Sequence, residues 1–260
     1  MLLPQLNSAL PVQYHLRRRL AGYRAANHLA GGTVITGSNN RPPKRTWDLE
    51  YKGLVTAEIS SLGNFCSSSE AAVDGFEFLD PFSNLLAYSE SLTADPWVSD
   101  ALANVTELPL GVSDEARSHA IQNGGIVEQS VRQELGITGY GTFCASMFVR
   151  SDVMGSGRIV VGNSSEAHAV EFTSRSEWSQ VYLSAGVNTE AAPLSFSIGV
   201  GPGCTIHVRE VQLECQLFPS RYKPTWETGG VYAGALVVHG SFQVLQHGPD
   251  WFDCSFQVEA

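Results

Sequence analysis

Short stretches of the 260-residue chain alternate apolar with polar residues. Trp47, Leu49 and Tyr51 alternate with charged neighbours, and the stretches 143–150 and 194–200 repeat the same period of two. Because successive side chains of a β-strand point to opposite faces, this period predicts strands with one buried face. Many such stretches separated by polar turns favour a mainly β protein with sandwich architecture.

Two stretches carry apolar residues at helical spacing instead. One covers 59–66, where Thr56 is in position to cap a helix whose apolar side packs on a sheet. The other is a short helix predicted around residues 14–28. A slip in the alternation at 209–210 predicts a bulge within a strand that covers 206–213.

The C-terminal part of the chain predicts a hairpin. A strand is expected at 235–245, a turn at 247–250, and a second strand at 252–258, where large apolar residues again occupy every second position. Such a hairpin can complete a sheet that the N-terminal strands begin.

Two sequence motifs bracket the middle of the chain. The first is N-L-L-x-Y-S-E at 84–90 with Trp97, and the second is V-Q-L-E at 211–214 followed by P-S-x-Y-x-P-T at 219–225. Together they resemble the opening and closing strands of the carbohydrate-binding-like jelly-roll modules that are inserted in phage structural proteins. The resemblance implies that residues 84–225 form one such module, a jelly-roll β-sandwich.

The flanking sequences carry a second resemblance. R-P-P-K-R-T-W-D-L-E-Y-K-G-L at 41–54, a short helical stretch, and V-D-G-F-E-F-L-D-P-F at 73–82 are similar to the phage tail-tube and distal-tail domain pattern. This implies a discontinuous tail-tube-like β-sandwich with one short helix, formed by 1–83 and 226–260 and interrupted by the jelly-roll module.

The two resemblances imply a non-enzymatic virion structural protein of a phage tail or baseplate, similar to distal-tail proteins. Its expected partners are further copies of itself in a ring or tube, other tail or baseplate proteins, and a host surface glycan contacted by the jelly roll. It would be assembled in the host cytoplasm and reside in the virion tail. Two alternatives stay open, a capsid decoration protein and a freestanding lectin-like protein.

Charge is distributed unevenly along the chain. Residues 1–52 hold eight basic and two acidic residues, a net charge of +6, whereas the whole chain holds 16 and 26. The remainder therefore has 8 basic and 24 acidic residues and a net charge of −16. Such asymmetry lets the basic arm of one copy dock on an acidic neighbour. The predicted assembly interface consists of Arg17, Arg18, Arg19, Arg24, Arg41, Lys44 and Arg45.

A solvated arginine-rich loop is the alternative interpretation of this basic arm. Direct contact with nucleic acid is disfavoured, because no aromatic residues interleave the basic ones as a base-stacking platform requires. No run of about 18 apolar residues occurs, so no membrane span is predicted, and the N-terminus lacks the pattern of a secretory signal.

Motifs of catalysis and metal binding are missing from the sequence. It contains no G-x-S-x-G, H-E-x-x-H or P-loop pattern, so neither an enzyme nor a cofactor site is predicted. Four glutamates are candidates for a hydrolytic carboxylate pair in number only: Glu166, Glu171, Glu210 and Glu214. The five cysteines include no C-x-x-C pair, which predicts buried free thiols and neither zinc nor disulfides.

A glycan site needs exposed aromatic rings with polar neighbours, because a ring stacks on a sugar while amides and carboxylates bind its hydroxyls. The candidate contacts are Trp178 and Tyr182, in the polar stretch 176–182. For Trp178 a position in the core is the favoured interpretation and ligand contact is the alternative. Trp97, inside the opening motif, is expected in the core.

Overall fold

The computed structural model describes residues 2–6, 17–21, 24–28, 34–38, 44–109 and 117–260. The chain divides into two compact units. The central unit contains Met1–Pro11 and Glu77–Tyr232, and the flanking unit contains Val12–Phe76 and Ala233–Ala260. These boundaries differ from the predicted ones after residues 83 and 225, and the first residues of the chain belong to the central unit.

The first residues are tied to the central unit by specific contacts. Leu2 forms a β-bridge with Glu77 and belongs to the hydrophobic core of that unit. Gln5 accepts a hydrogen bond from the backbone N–H of Thr142 at 2.7 Å. Residues 2–6 therefore belong to the central unit, although the predicted N-terminal domain grouped them with the basic segment.

The described part of the chain contains one α-helix, a single π-helical turn at Glu70–Asp74, and eighteen strands. The elements are β1 Arg17–Ala21, β2 Arg24–His28, β3 Val34–Ser38, β4 Lys44–Leu54, α1 Thr56–Ser67, β5 Phe76–Leu79, β6 Val98–Ser99, β7 Ala103–Glu107, β8 Ser118–Asn123, β9 Gln129–Leu135, β10 Tyr140–Arg150, β11 Gly155–Gly162, β12 Ala167–Ser174, β13 Ser179–Asn188, β14 Leu194–Val200, β15 Thr205–Glu214, β16 Val231–Val237, β17 Gln243–Gly248 and β18 Trp251–Glu259.

The central unit is a β-sandwich of two antiparallel five-stranded sheets. One sheet has the order β13-β10-β15-β8-β7 and the other β12-β11-β14-β9-β6. Their inner faces share one hydrophobic core, in which Phe143 and Met147 of β10 are as fully buried as Phe196 and Ile198 of β14. The mainly β class and the sandwich predicted from the alternation are therefore confirmed. The chain crosses between the sheets after most strands, as in a jelly roll.

The predicted bulge lies within β15. Ser146 of β10 pairs with Gln212 and Phe148 pairs with Arg209, so two residues of β15 stand opposite Met147 alone. The extra residue, Glu210, has a φ of 54°, in the left-handed region. The bulge lets Val208 and Val211 both point into the core although they are three residues apart.

The two bracketing motifs meet in a buried polar network that we call the clasp, formed by residues 84–90 and 211–225. The side chain of Asn84 donates a hydrogen bond to the carbonyl of Val211 at 2.8 Å and accepts one from the N–H of Leu213 at 3.0 Å. The V-Q-L-E segment is a strand as predicted, but the prediction of a strand at 84–90 is wrong. These residues form turns, because the Asn84 amide replaces the backbone ladder.

Further side chains of the motifs close the clasp. The Tyr222 hydroxyl donates to Glu90 at 2.5 Å, and the Thr225 hydroxyl donates to the carbonyl of Leu86 at 2.6 Å. Trp97 is 8% exposed and packs edge-on against Phe196, which confirms its predicted core position. The residues that carried the first resemblance thus hold the sandwich together.

Most strands of the flanking unit belong to a six-stranded sheet with the order β1-β4-β18-β16-β5, in which β17 also pairs with β18. Trp47, Leu49 and Tyr51 of β4 are buried, as the alternation predicts. The predicted helix α1 is confirmed, with Leu62 and Phe65 buried. It begins at Thr56, whose N–H and hydroxyl both donate to Asp250 in the β17–β18 turn.

Two other predictions in this unit are wrong. The stretch 14–28 contains strands β1 and β2 instead of a helix, because the backbone of β1 pairs with β4 and thereby extends the sheet. The single strand predicted at 235–245 is divided into β16 and β17. Gly240, with a φ of 72°, allows the chain to turn between them. The C-terminal hairpin of β17 and β18 is confirmed.

Candidate glycan-binding surface

The outer face of the sheet β13-β10-β15-β8-β7 is covered in one half and open in the other. In the covered half, the loop after β15 lies over the strands. Ser220 donates its hydroxyl to Glu214 at 2.6 Å, and the N–H of Lys223 donates to Gln212 at 2.9 Å. Gln212 and Glu214 are therefore buried although they point away from the core.

The open half of the same face carries aromatic rings and planar polar groups, and we call it the platform. Its strands are aligned by register: Ser146 opposite Tyr182, Phe148 opposite Gln180 on one side and Arg209 on the other, and Arg150 opposite His207. The platform residues are Phe148, Arg150, Trp178, Gln180, Tyr182, His207 and Arg209.

Arginine side chains stack on the aromatic rings of the platform. The Arg209 guanidinium carbon lies 4.6 Å from the ring centre of Trp178 and 5.6 Å from that of Phe148. The guanidinium carbon of Arg150 lies 5.2 Å from the ring centre of Trp178. Trp178 is half-buried by these contacts and does not belong to the core cluster, so the favoured interpretation of Trp178 as a core residue is wrong.

The second candidate contact, Tyr182, lies on the same face as Trp178. It is 48% exposed. Trp178 directly precedes β13, and Tyr182 follows it four residues later, within that strand. At about 3.3 Å per residue the two Cα atoms are roughly 13 Å apart along the strand. The structure thus brings both candidates onto one surface that is longer than a single sugar ring.

Burial and charge act together on His207. Burial lowers the pKa of its imidazole, the positive charge of Arg150 lowers the pKa further, and Asp152 raises it. The side chain is therefore neutral near pH 7. Nδ1 of His207 and Nε of Arg150 are buried and have no hydrogen-bond partner among the residues that the structure describes.

Sequence reasoning missed the polar half of the platform. Phe148 and Arg150 are on β10 and His207 and Arg209 on β15, and only the register of these strands brings them together. The alternation of residues 143–150 does place Phe148 and Arg150 opposite the core-facing positions. What it leaves unknown is which residues of a distant strand lie beside them.

The predicted basic interface lies in the flanking unit where the structure describes it. β1 is the last strand of its sheet and presents Arg17, Arg18 and Arg19. Arg19 forms an ion pair with Asp48 at 2.7 Å, and Lys44 forms one with Glu259 at 2.6 Å. Arg45 also belongs to β4. The Arg24 side chain and the whole of Arg41 lie outside the described residues, and the interface stays a prediction.

The four glutamates considered for hydrolysis are divided between the two sheets of the sandwich. Glu210 and Glu214 are on β15; Glu214 is buried and pairs with Lys223 at 2.5 Å. Glu171 is on β12 and lines a surface cleft of ≈ 380 Å³, and Glu166 accepts a hydrogen bond from the N–H of Asn188. The four carboxylates therefore do not form one group.

All five cysteines are free thiols. Cys144, Cys215 and Cys254 are buried as predicted, whereas Cys66 and Cys204 are partly buried. Burial raises the pKa of Cys215 and of Cys254 to about 12. Within the described ranges no group of three or more His, Cys, Asp or Glu side chains is arranged to hold a metal ion, and no helix is long and apolar enough to cross a membrane.

No family model matches the chain, and no curated protein matches it. Among solved structures it is similar to the C-terminal family 22 carbohydrate-binding module of Clostridium thermocellum Xyn10B, with 11% identity and a TM-score of 0.44 over 55% of this chain and 99% of that one. It is also similar to TmCBM61 in complex with β-1,4-galactotriose, with 14% identity and a TM-score of 0.40 over 51% and 99%. The enzymatically active domain of bacteriophage CBA120 tailspike protein 4 matches with 11% identity and a TM-score of 0.39 over 53% of this chain and 22% of that one.

Proposed function

We propose that the protein is a non-enzymatic virion structural protein of a phage tail or baseplate, similar to distal-tail proteins, whose platform binds host surface glycans. Copies assemble into a ring through the flanking unit, together with other tail proteins. The protein is placed in the virion tail after assembly in the host cytoplasm. The observation that carries the glycan-binding part is the presence of Trp178 and Tyr182 on one exposed sheet face.

The chemistry of the platform fits an oligosaccharide. Sugar rings have apolar faces that stack on aromatic side chains, and their hydroxyls take hydrogen bonds from planar polar groups. Tyr182 offers an exposed ring, and Gln180 stands between it and Trp178 on the same face. A surface of this length suits a chain of sugars that lies along β13.

The edge strands of the flanking unit support the assembly part. β17 has one partner among the described strands, β18, and its outer edge offers unpaired backbone groups. It contains no Lys, Arg, Asp or Glu, and Val244 and Leu245 are 47% and 59% exposed. Charges usually protect such an edge from pairing with another chain. At the far side of the sheet, β1 carries three arginines and has that protection.

Glycan binding is tested by screening the purified protein on a glycan array and measuring the affinity for the strongest ligands by calorimetry. Trp178→Ala is expected to lower that affinity at least tenfold. Trp226→Ala is the matched control, since Trp226 is 53% exposed and also has an arginine, Arg117, 5.4 Å from its ring centre, but is not a platform residue. Equal losses in both variants, or no glycan bound, would reject the proposal.

Assembly is tested by mass determination and negative-stain microscopy of the same protein. Rings or tubes are expected, and Leu245→Lys is expected to dissociate them because it places a charge on the β17 edge. A wild-type monomer that binds glycans would instead identify a freestanding lectin-like protein. Incorporation into capsids and not tails would identify a decoration protein.

A further inference from the structure

We infer that the platform selects glycans that carry carboxylate groups, and that Arg150 binds the carboxylate. This inference rests on the proposed glycan binding and adds the class of sugar. The carboxylate-bearing sugars are the uronic and sialic acids. The observations concern the hydrogen-bonding state of Arg150, the second guanidinium beside it, and the charge around both.

Arg150 is held in place by a contact that uses none of its N–H groups. Its guanidinium stacks on Trp178, and it forms no hydrogen bond or ion pair with any residue in the described part of the chain. Guanidinium has five N–H donors and no acceptor, and stacking on a ring uses the plane and none of the donors. A carboxylate can accept two parallel hydrogen bonds from such a fork.

Arg209 places a second positive charge over the same ring of Trp178. It is partly balanced by Glu210, whose carboxylate lies 3.7 Å from Arg209 Nε. Arg150 has no such neighbour within ion-pair distance among the described carboxylates. Two cations therefore share one aromatic ring.

The other groups of the platform carry no charge near pH 7. His207 is neutral near pH 7 for the reasons given above, and Asp152 is the carboxylate that acts on it. The remaining outward residues of the neighbouring strands are uncharged: Gln180 and Tyr182 on β13, Gln122 on β8, and Asn104 on β7. The protein as a whole has a net charge of −10. The two guanidinium groups on Trp178 are complementary to an anionic ligand.

The test compares ligands that differ in the carboxylate alone. The protein is titrated with trigalacturonic acid and with its methyl ester, and with 3′-sialyllactose and with its methyl ester. The acidic member of at least one pair is expected to bind tenfold or more tightly, and less so at high salt because the charges are screened. Arg150→Gln is expected to abolish the difference, chiefly by lowering the affinity for the acidic member.

Arg158→Gln is the matched control. Arg158 is on the opposite sheet and pairs with Glu128 at 2.6 Å, so its replacement is expected to leave the preference unchanged. Thermal unfolding of both variants checks that the fold is intact. Arg150→Lys retains the charge but loses the fork, and is expected to give an intermediate preference.

Each other outcome overturns a distinct statement. Equal affinity for both members of every pair rejects the acidic preference and leaves glycan binding in place. Tighter binding of a heparin-derived sulfated oligosaccharide than of either acid rejects the carboxylate. An equal loss for acidic and neutral ligands in Arg150→Gln rejects the assigned role of Arg150. No binding to any of these sugars or to the array rejects the proposed function as well.

Discussion

The covered and open halves of one sheet face use their polar groups in opposite ways. In the clasp, polar side chains bond to each other and to the backbone: Glu214, for example, receives hydrogen bonds from Ser220 and an ion pair from Lys223. On the platform, Arg150 contacts the ring of Trp178, and its Nε has no hydrogen-bond partner among the described residues. Burial of satisfied groups stabilises a fold, whereas unsatisfied polar groups beside aromatic rings on a surface indicate binding.

The comparison shows that the residues with the clearest sequence signal are structural. The motifs at 84–90 and 211–225 close the sandwich, while no motif marks Arg150 or Arg209. A substitution in the clasp should therefore change stability and leave intrinsic binding intact. A substitution on the platform should do the reverse.

The largest effect is expected for Asn84→Ala. The Asn84 side chain is fully buried and makes hydrogen bonds with the backbone of Leu86, Val211 and Leu213. Alanine leaves two buried N–H groups and one carbonyl without those partners, so the free energy of unfolding should fall by about 3 kcal/mol. Urea denaturation measures the change. Asn104→Ala, at an exposed position of β7, should change it by less than about 0.5 kcal/mol.

A loss below about 1 kcal/mol in Asn84→Ala would contradict the structural role of the clasp. The glycan affinity of the folded fraction provides the second measurement. It should equal that of the wild type, because the clasp and the platform share no residue.

The second effect, smaller in free energy, is expected for Tyr182→Ala. Tyr182 is 48% exposed and lies outside the core, so its replacement should change the free energy of unfolding by about 0.5 kcal/mol or less. Loss of its ring should weaken glycan binding about tenfold, which corresponds to about 1.4 kcal/mol. Calorimetry and urea denaturation of the same preparation separate the two quantities. If Tyr182→Ala lost as much stability as Asn84→Ala, the platform would be as structural as the clasp, and the distinction between them would be wrong.

Much of the fold could be predicted from local patterns. Alternation located β4, β10, β14 and β15, and even the bulge at Glu210, because each strand buries one face in a core. The helix predicted at 14–28 was wrong, because the helical spacing of its apolar residues is weak and the pairing of β1 with β4 decides the structure. The strand predicted at 84–90 was wrong, because the side chain of Asn84 replaces the hydrogen bonds of a backbone ladder there.

The candidate site was predictable only along a single strand. Trp178 and Tyr182 are four positions apart, and a period of two puts them on one face whatever their neighbours. The arginines come from β10 and β15, and their approach to Trp178 depends on strand order and register. These are set by packing of the whole sandwich, which a local pattern does not contain. The buried role of the clasp residues depends on long-range contacts for the same reason.

The smallest effect is expected from a histidine of the central unit. His119 is 1% exposed, and its Nε2 accepts a hydrogen bond from the N–H of Leu92 at 3.3 Å. Burial lowers the pKa of His119; the charges of Glu107 and Glu90 raise it, and that of Arg117 lowers it. Because the folded state favours the neutral ring, this stabilisation is present above the unfolded pKa of 6.5 and is lost as the pH falls through the folded value.

Replacing His119 with glutamine should therefore flatten the dependence of stability on pH. The amide oxygen of glutamine can accept the same hydrogen bond but does not titrate. Urea denaturation between pH 7 and pH 5 should show a smaller loss in His119→Gln than in the wild type, while His239→Gln, at an exposed turn, should match the wild type. Identical slopes in all three proteins would mean that His119 is protonated as easily in the folded chain as in the unfolded one. The hydrogen bond to Leu92 would then make no contribution to stability that depends on pH. The buried His119 would in that case be held less firmly by its hydrogen bond than the polar side chains of the clasp are by theirs.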